Sequence, residues 1–94
     1  MSDANETQPK LSLYHRSFCM FCSRVIGVIN RLSVDVDDKN IWKDEHALMD
    51  LQQATGRSTV PVLRIEEPDG SVIWMPESND IVQYLSELDA RQQA

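Results

Sequence analysis

Apolar and polar residues alternate where the pattern begins. Leu11 and Leu13 stand between Lys10, Ser12 and Tyr14, the period of two that turns one face of a strand toward a core. Beyond it, Val25, Ile26, Ile29 and Leu32 recur at helical spacing from Cys22 onward, so the spacing predicts an amphipathic helix over 19–32. Both cysteines then fall at its amino end. The alternation returns over 33–37, with Val34 and Val36 on one side and Asp35 and Asp37 on the other, and predicts a short second strand. Asp44 in a cap position, Ala47, Leu48, Leu51 and Ala54 along one face, and Gly56 as a stop define a second helix. Val62–Glu66 and 71–75 read as two strands joined by Glu67-Pro68-Asp69-Gly70, whose Asp-Gly step supplies turn chemistry. Ile81, Tyr84, Leu85 and Leu88 mark a third helix. It opens with the capping residues Ser78, Asn79 and Asp80, and Arg91-Gln92-Gln93-Ala94 are expected to fray at its end.

The resulting order is β-α-β-α-β-β-α, a βαβ unit followed by a hairpin and a helix. It implies an α/β fold with a four-stranded mixed sheet covered by helices. The 94 residues allow one core, divided into a flexible amino-terminal tail over 1–9 and a single domain over 10–94. Hydrophobic residues at 41% and charged residues at 26% are globular proportions, which exclude a disordered or fibrous chain. A formal charge of −6 argues against nucleic acid as a partner, because phosphate neutralisation needs a basic face. The first nine residues are polar and lack the basic and apolar regions of a signal peptide. No run approaches the ~20 apolar residues that span a bilayer. The expectation is a cytoplasmic protein without a membrane partner.

Cys19-Met20-Phe21-Cys22 is a C-x-x-C after a strand and at the start of a helix, the βαβ context in which the motif signals redox chemistry. The placement has a physical reason. The partial positive charge and free N–H groups of a helix amino terminus stabilise a thiolate, the nucleophile of disulfide exchange. Cys19, at the tip, gains most and is the expected nucleophile. Cys22 lies one turn in, on the side of Val25, Ile26 and Ile29, and is suited to resolving rather than attacking. A C-x-x-C also occurs in zinc sites, with His15 and His46 as the remaining ligands, but neither stands at the spacing of a finger. Two inert core cysteines are the other alternative. The expected site contains no metal.

With Cys19-Met20-Phe21-Cys22, Thr59-Val60-Pro61 and Glu77-Ser78-Asn79-Asp80 in this order, the chain resembles the glutaredoxin family over nearly its whole length. The same features recur in the amino-terminal domain of glutathione S-transferases. The resemblance implies the thioredoxin fold, a cis peptide bond before Pro61, and glutathione as co-substrate. The backbone of Val60, with Thr59 and Pro61 beside it, would pair with the cysteinyl part of glutathione as a short β-augmentation. By itself the tripeptide is only a strand start, where proline is tolerated. Ser78 and Asn79 would bind the γ-glutamyl carboxylate at the helix amino terminus, and Asp80 would receive the ammonium. Plain capping uses the same atoms. Glu77 is closer to the transferase pattern, since many glutaredoxins have glycines there. Arg16, three residues before Cys19, and Arg57 are candidates for the glycine carboxylate of glutathione. Arg16 fits better, because the family's basic residue often stands where this chain has Ser58. Phe21 matches an aromatic position that shields the mixed disulfide.

The resemblance implies a redox enzyme active in electron transport and cell redox homeostasis, whose partners are glutathione and glutathionylated or disulfide-containing proteins. Met20 departs from it, replacing a proline found in many glutaredoxins and leaving a free N–H. Family members without that proline sometimes hold an iron-sulfur cluster between two subunits, which keeps a cluster carrier as an alternative. A glutathione-binding module without redox turnover is another. Thioredoxin itself is disfavoured, because Phe18 and Met20 replace the tryptophan and glycine-proline of its site.

Overall fold

The computed structural model describes residues 8–93. Of the expected tail over 1–9, all but Gln8 and Pro9 lies outside the described residues. The elements are β1 (Lys10–His15), α1 (Met20–Arg31), β2 (Val36–Asn40), α2 (Glu45–Thr55), β3 (Val62–Glu66), β4 (Val72–Met75) and α3 (Ser78–Gln93). The four strands form one sheet in the order β2-β1-β3-β4. β1 runs parallel to β2 and antiparallel to β3, and β3 runs antiparallel to β4. This is the mixed sheet and element order that the hydrophobic pattern implies.

Helices cover both faces. On one side Leu11, Leu13, Val25, Val34, Leu63, Ile65, Ile81, Leu85 and Leu88 join the sheet to α1 and α3. On the other, Tyr14, Ile41, Ala47, Leu51 and Val62 join it to α2. β1 therefore differs from its expected reading as a strand with one buried face. From Leu11 to His15 every residue is buried, because an interior strand between two helical layers has no solvent side. On the α2 face the Tyr14 ring also meets Trp74 of β4, 5.2 Å between centroids.

The second strand is Val36–Asn40, not 33–37. Leu32 ends α1 in extended conformation and the Asp89 carboxylate holds the Ser33 N–H at 2.9 Å. Residues 33–35 are thereby committed to the crossover, and ladder pairing begins only at Leu11 with Val36. Val34 is buried all the same, which is why its alternation with Val36 looked like a strand. The true strand hides its period behind Asp37, Asp38 and Lys39, charges that discourage an edge strand from pairing with another chain. β4 begins at Val72 because Ser71 belongs to the turn, its N–H and hydroxyl both donating to Asp69, at 2.9 and 2.8 Å.

α2 follows its sequence signals. The Asp44 carboxylate accepts the N–H groups of His46 and Ala47 at 3.0 and 3.4 Å. Gly56 closes the helix at φ +73°, where a side chain would be strained. α3 departs from its signals at both ends. The Ile81 N–H bonds to the Glu77 carbonyl at 2.9 Å, so Glu77 is the boundary residue and Ser78, Asn79 and Asp80 form the first turn rather than the cap. The helix continues through Gln93, past the expected fraying point, with Leu88 buried and Asp89 tied to Ser33; Ala94 lies outside the described residues. Among the described residues no helix is long and apolar enough to cross a membrane.

Candidate active site

Strand register gathers the sequence motifs at one end of the sheet. His15, last in β1, lies opposite Asn40, last in β2, and Tyr14 lies opposite Val62, first in β3. Met75, last in β4, lies opposite Leu63. The loops leaving β1, β2 and β4 and the loop entering β3 therefore emerge together, at the carboxyl end of β1 and β2 where open α/β sheets bind ligands. Two bonds tie the first pair of loops: Ile41 N–H to the His15 carbonyl at 2.8 Å, and Asn40 Nδ2 to Ser17 Oγ at 3.4 Å. Cys19, Thr59-Val60-Pro61 and Ser78-Asn79-Asp80 all belong to this end.

Cys19 is the amino-terminal cap of α1. Its backbone is extended (φ −116°, ψ 114°), and Sγ accepts the Cys22 N–H at 3.3 Å, as a serine or aspartate oxygen would at such a position. Its carbonyl accepts the Ser23 N–H at 2.9 Å, the first bond of the helix. Both thiols are free and buried, Cys19 at 7% exposure and Cys22 at 1%. Burial, followed by the hydrogen bond to Cys19, pushes the Cys22 thiol from its ordinary value of 9.0 up to about 12. A backbone hydrogen bond from Arg16 and the Arg16 charge oppose that rise. The pair thus consists of a thiol aimed at a helix amino terminus and a neighbour held protonated behind it.

Exposed apolar side chains flank Cys19 in the chain, with Trp42 beside them. Phe18, Met20, Phe21 and Trp42 are 92, 86, 63 and 58% exposed. Phe18 has φ +59°, an uncommon conformation for a bulky residue, and its ring lies 6.3 Å from that of Trp42. Arg16 Nη1 donates to the Ser17 and Phe18 carbonyls at 3.1 and 3.3 Å, and its guanidinium carbon stands 5.2 Å from the Trp42 ring centre. One Arg16 nitrogen braces the loop, leaving the other guanidinium donors for an anion.

The Val60–Pro61 bond is cis. Pro61 is buried, Val60 packs against the α2 layer, and Thr59 is exposed. Arg57 lies on the preceding loop, where its N–H donates to Thr55 Oγ1 at 3.2 Å and its carbonyl accepts the same hydroxyl at 3.1 Å. On α3, Ser78 is half-buried while Glu77, Asn79 and Asp80 are exposed. Arg24 reaches across from α1, with Nη1 2.5 Å from Asn79 Oδ1. Sequence reasoning missed Arg24 and Trp42. Trp42, an aromatic beside Ile41 in an otherwise polar stretch over 39–46, carried a faint signal; Arg24 carried none, since its contact with Asn79 follows from how α1 packs on α3.

The histidines weighed as zinc ligands form no metal-holding group with the cysteines among the described residues. His15 is buried and paired with Asp38, and His46 sits on the exposed first turn of α2. Among the described residues no group of three or more His, Cys, Asp or Glu side chains stands where it could hold a metal ion.

The profile described as "Glutathione S-transferase, N-terminal domain" matches residues 13–93. Comparison with curated protein sequences gives no match. Among solved structures, the chain is similar to maleylacetoacetate isomerase from Anaeromyxobacter dehalogenans, at 25% identity and a TM-score of 0.65. That match covers 89% of this chain but 38% of the isomerase, so the chain spans little more than a third of that enzyme's length. A mutant of the thioredoxin-like protein BC3987 matches over 82% of this chain and 99% of its own, at 22% identity and a TM-score of 0.64. A glutaredoxin–glutathione complex from buckwheat matches over 92% of this chain and 84% of its own, at 22% identity and a TM-score of 0.56. The fold is thioredoxin-like, as the sequence led one to expect.

Proposed function

Because the chain belongs to the glutathione S-transferase N-terminal domain family, we propose that glutathione is its working thiol and that Cys19 performs thiol–disulfide exchange on glutathionylated proteins. The observation that carries this reading is the capping geometry, with Cys19 Sγ 3.3 Å from the Cys22 N–H and Cys22 buried behind it. A negative charge forming on Sγ meets that N–H and the positive end of α1.

In the proposed cycle the Cys19 thiolate attacks the glutathione sulfur of a mixed disulfide. The Cys19–glutathione disulfide forms, the protein–glutathione bond breaks, and the protein leaves as a thiolate that takes up a proton. A second glutathione thiolate then attacks the glutathione sulfur held on Cys19, releasing oxidised glutathione and returning the Cys19 thiolate. Thr59, Val60 and Pro61 would line the cysteinyl part, and Ser78, Asn79 and Asp80 with Glu77 would receive the γ-glutamyl end. Arg16 would take the glycine carboxylate, and Phe21 with Phe18, Met20 and Trp42 would face the protein carrying the disulfide.

The test is glutathione-dependent reduction of a glutathionylated peptide by wild type and Cys19→Ser. The expected result is turnover by wild type and its loss in the variant; full activity in the variant would sink the reading. The family match also favours a second reading, a module that holds glutathione without turnover. Wild type that binds glutathione yet reduces no disulfide would select that module.

A further inference from the structure

We propose that Arg24 is a positioning residue for the γ-glutamyl carboxylate, fixing the Asn79 amide so that its NH2 group faces the ligand; this rests on the glutathione reading above. Arg24 Nη1 lies 2.5 Å from Asn79 Oδ1 and links the helix that carries the nucleophile to the helix that would carry the anion. A guanidinium donates and never accepts, so the oxygen of the amide must be the atom turned toward Arg24. The amide nitrogen then points the other way, and Asn79 becomes a donor instead of a group free to flip.

The donor has company. Asn79 is the second residue of α3, whose first-turn N–H groups have no partner within the helix, and Ser78 beside it adds a hydroxyl. The local charge makes Arg24 matter more. Glu77 and Asp80 put two carboxylates at this helix start, on a chain of formal charge −6; Asp80 would pair with the ligand's ammonium, while both carboxylates repel its carboxylate. Arg24 brings a cation to the same place, adding to the partial positive charge of the α3 terminus. Arg24 belongs to the helix that Cys19 caps, so its bond to Asn79 ties the carboxylate anchor to that helix.

The experiment compares two substrates, one peptide in mixed disulfide with glutathione and the same peptide in mixed disulfide with cysteinylglycine, which lacks the γ-glutamyl group. Arg24→Ala should raise KM for the first about tenfold, the effect of losing a hydrogen bond to a charged group, while kcat stays within about twofold. The second substrate should show no such rise. Asn79→Asp keeps an oxygen for Arg24 but replaces the donor by a second oxygen, so its KM for the glutathione substrate should rise at least as far. Arg24→Lys keeps the charge without the fork and should lose less than Arg24→Ala; it stands in if that variant fails to fold. An equal rise for both substrates, or an Asn79→Asp protein with wild-type KM, overturns the proposal. If wild type handles the two substrates alike, the glutathione reading has failed and the role of Arg24 falls with it.

Discussion

Replacing Cys22 by serine separates two routes for clearing glutathione from Cys19: attack by Cys22 from within, or attack by a second glutathione from solution. The burial of Cys22 bears on their relative speed. Moving the Cys22 thiol from 9.0 to about 12 lowers its thiolate fraction at neutral pH. Three units lower it about 1000-fold, and the greater nucleophilicity of a more basic sulfur restores about 15- to 30-fold, leaving a net handicap of about 30- to 60-fold. In the mixed disulfide the Cys19 hydrogen bond is gone, so that figure is an upper bound. Burial remains, and it is the largest cause of the shift. Glutathione from solution carries no such handicap; Cys22 has the advantage of proximity, and the variant weighs that against the protonation of its buried thiol. Cys22→Ser should therefore keep glutathione-dependent reduction of a glutathionylated peptide within about twofold of wild type at millimolar glutathione. Initial rates measure this. Rapid quenching of wild type with one equivalent of the peptide and no free glutathione, read by mass spectrometry, should show the Cys19–glutathione adduct first. A tenfold loss in Cys22→Ser, or a Cys19–Cys22 disulfide ahead of the adduct, would refute the reasoning.

Two further predictions concern stability. Asp44→Ala removes the acceptor of two helix-start N–H groups and should destabilise the fold by about 0.5–2 kcal/mol in urea titration; an unchanged midpoint would mean that Asp44 does not cap α2 in solution. Alkaline pH should also weaken the fold. Burial raises Cys22, Tyr14 and Tyr84, with Cys19, Asp50 and Glu67 respectively adding to the rise. The folded chain thus holds these protons to higher pH than the unfolded one does. Their stabilisation is complete below the unfolded values and is lost as pH climbs toward the folded ones, for Cys22 from 9.0 to about 12. The urea midpoint should fall between pH 8 and pH 11, less steeply in Cys22→Ala, and an equally steep fall in that variant would remove Cys22 from the account.

The order of elements, the caps of α2, and the C-x-x-C at the head of α1 were all determined by the sequence alone, because each rests on contacts within a few residues: a period, a carboxylate three positions before an N–H, a glycine where φ is positive. The position of Cys19 at the cap was legible for the same reason, since a helix amino terminus is a local property. What only the tertiary structure decided depends on partners distant in the chain. The second strand begins at Val36 because Asp89 holds Ser33 in the crossover and Leu11 sets the register. β1 is buried on both faces because α2 closes a layer that its own alternation did not reveal. Cys22 rises to about 12 through burial, a property of the whole core. Arg24 meets Asn79 across 55 positions of sequence, where no spacing rule reaches; only the packing of α1 against α3 brings the two together.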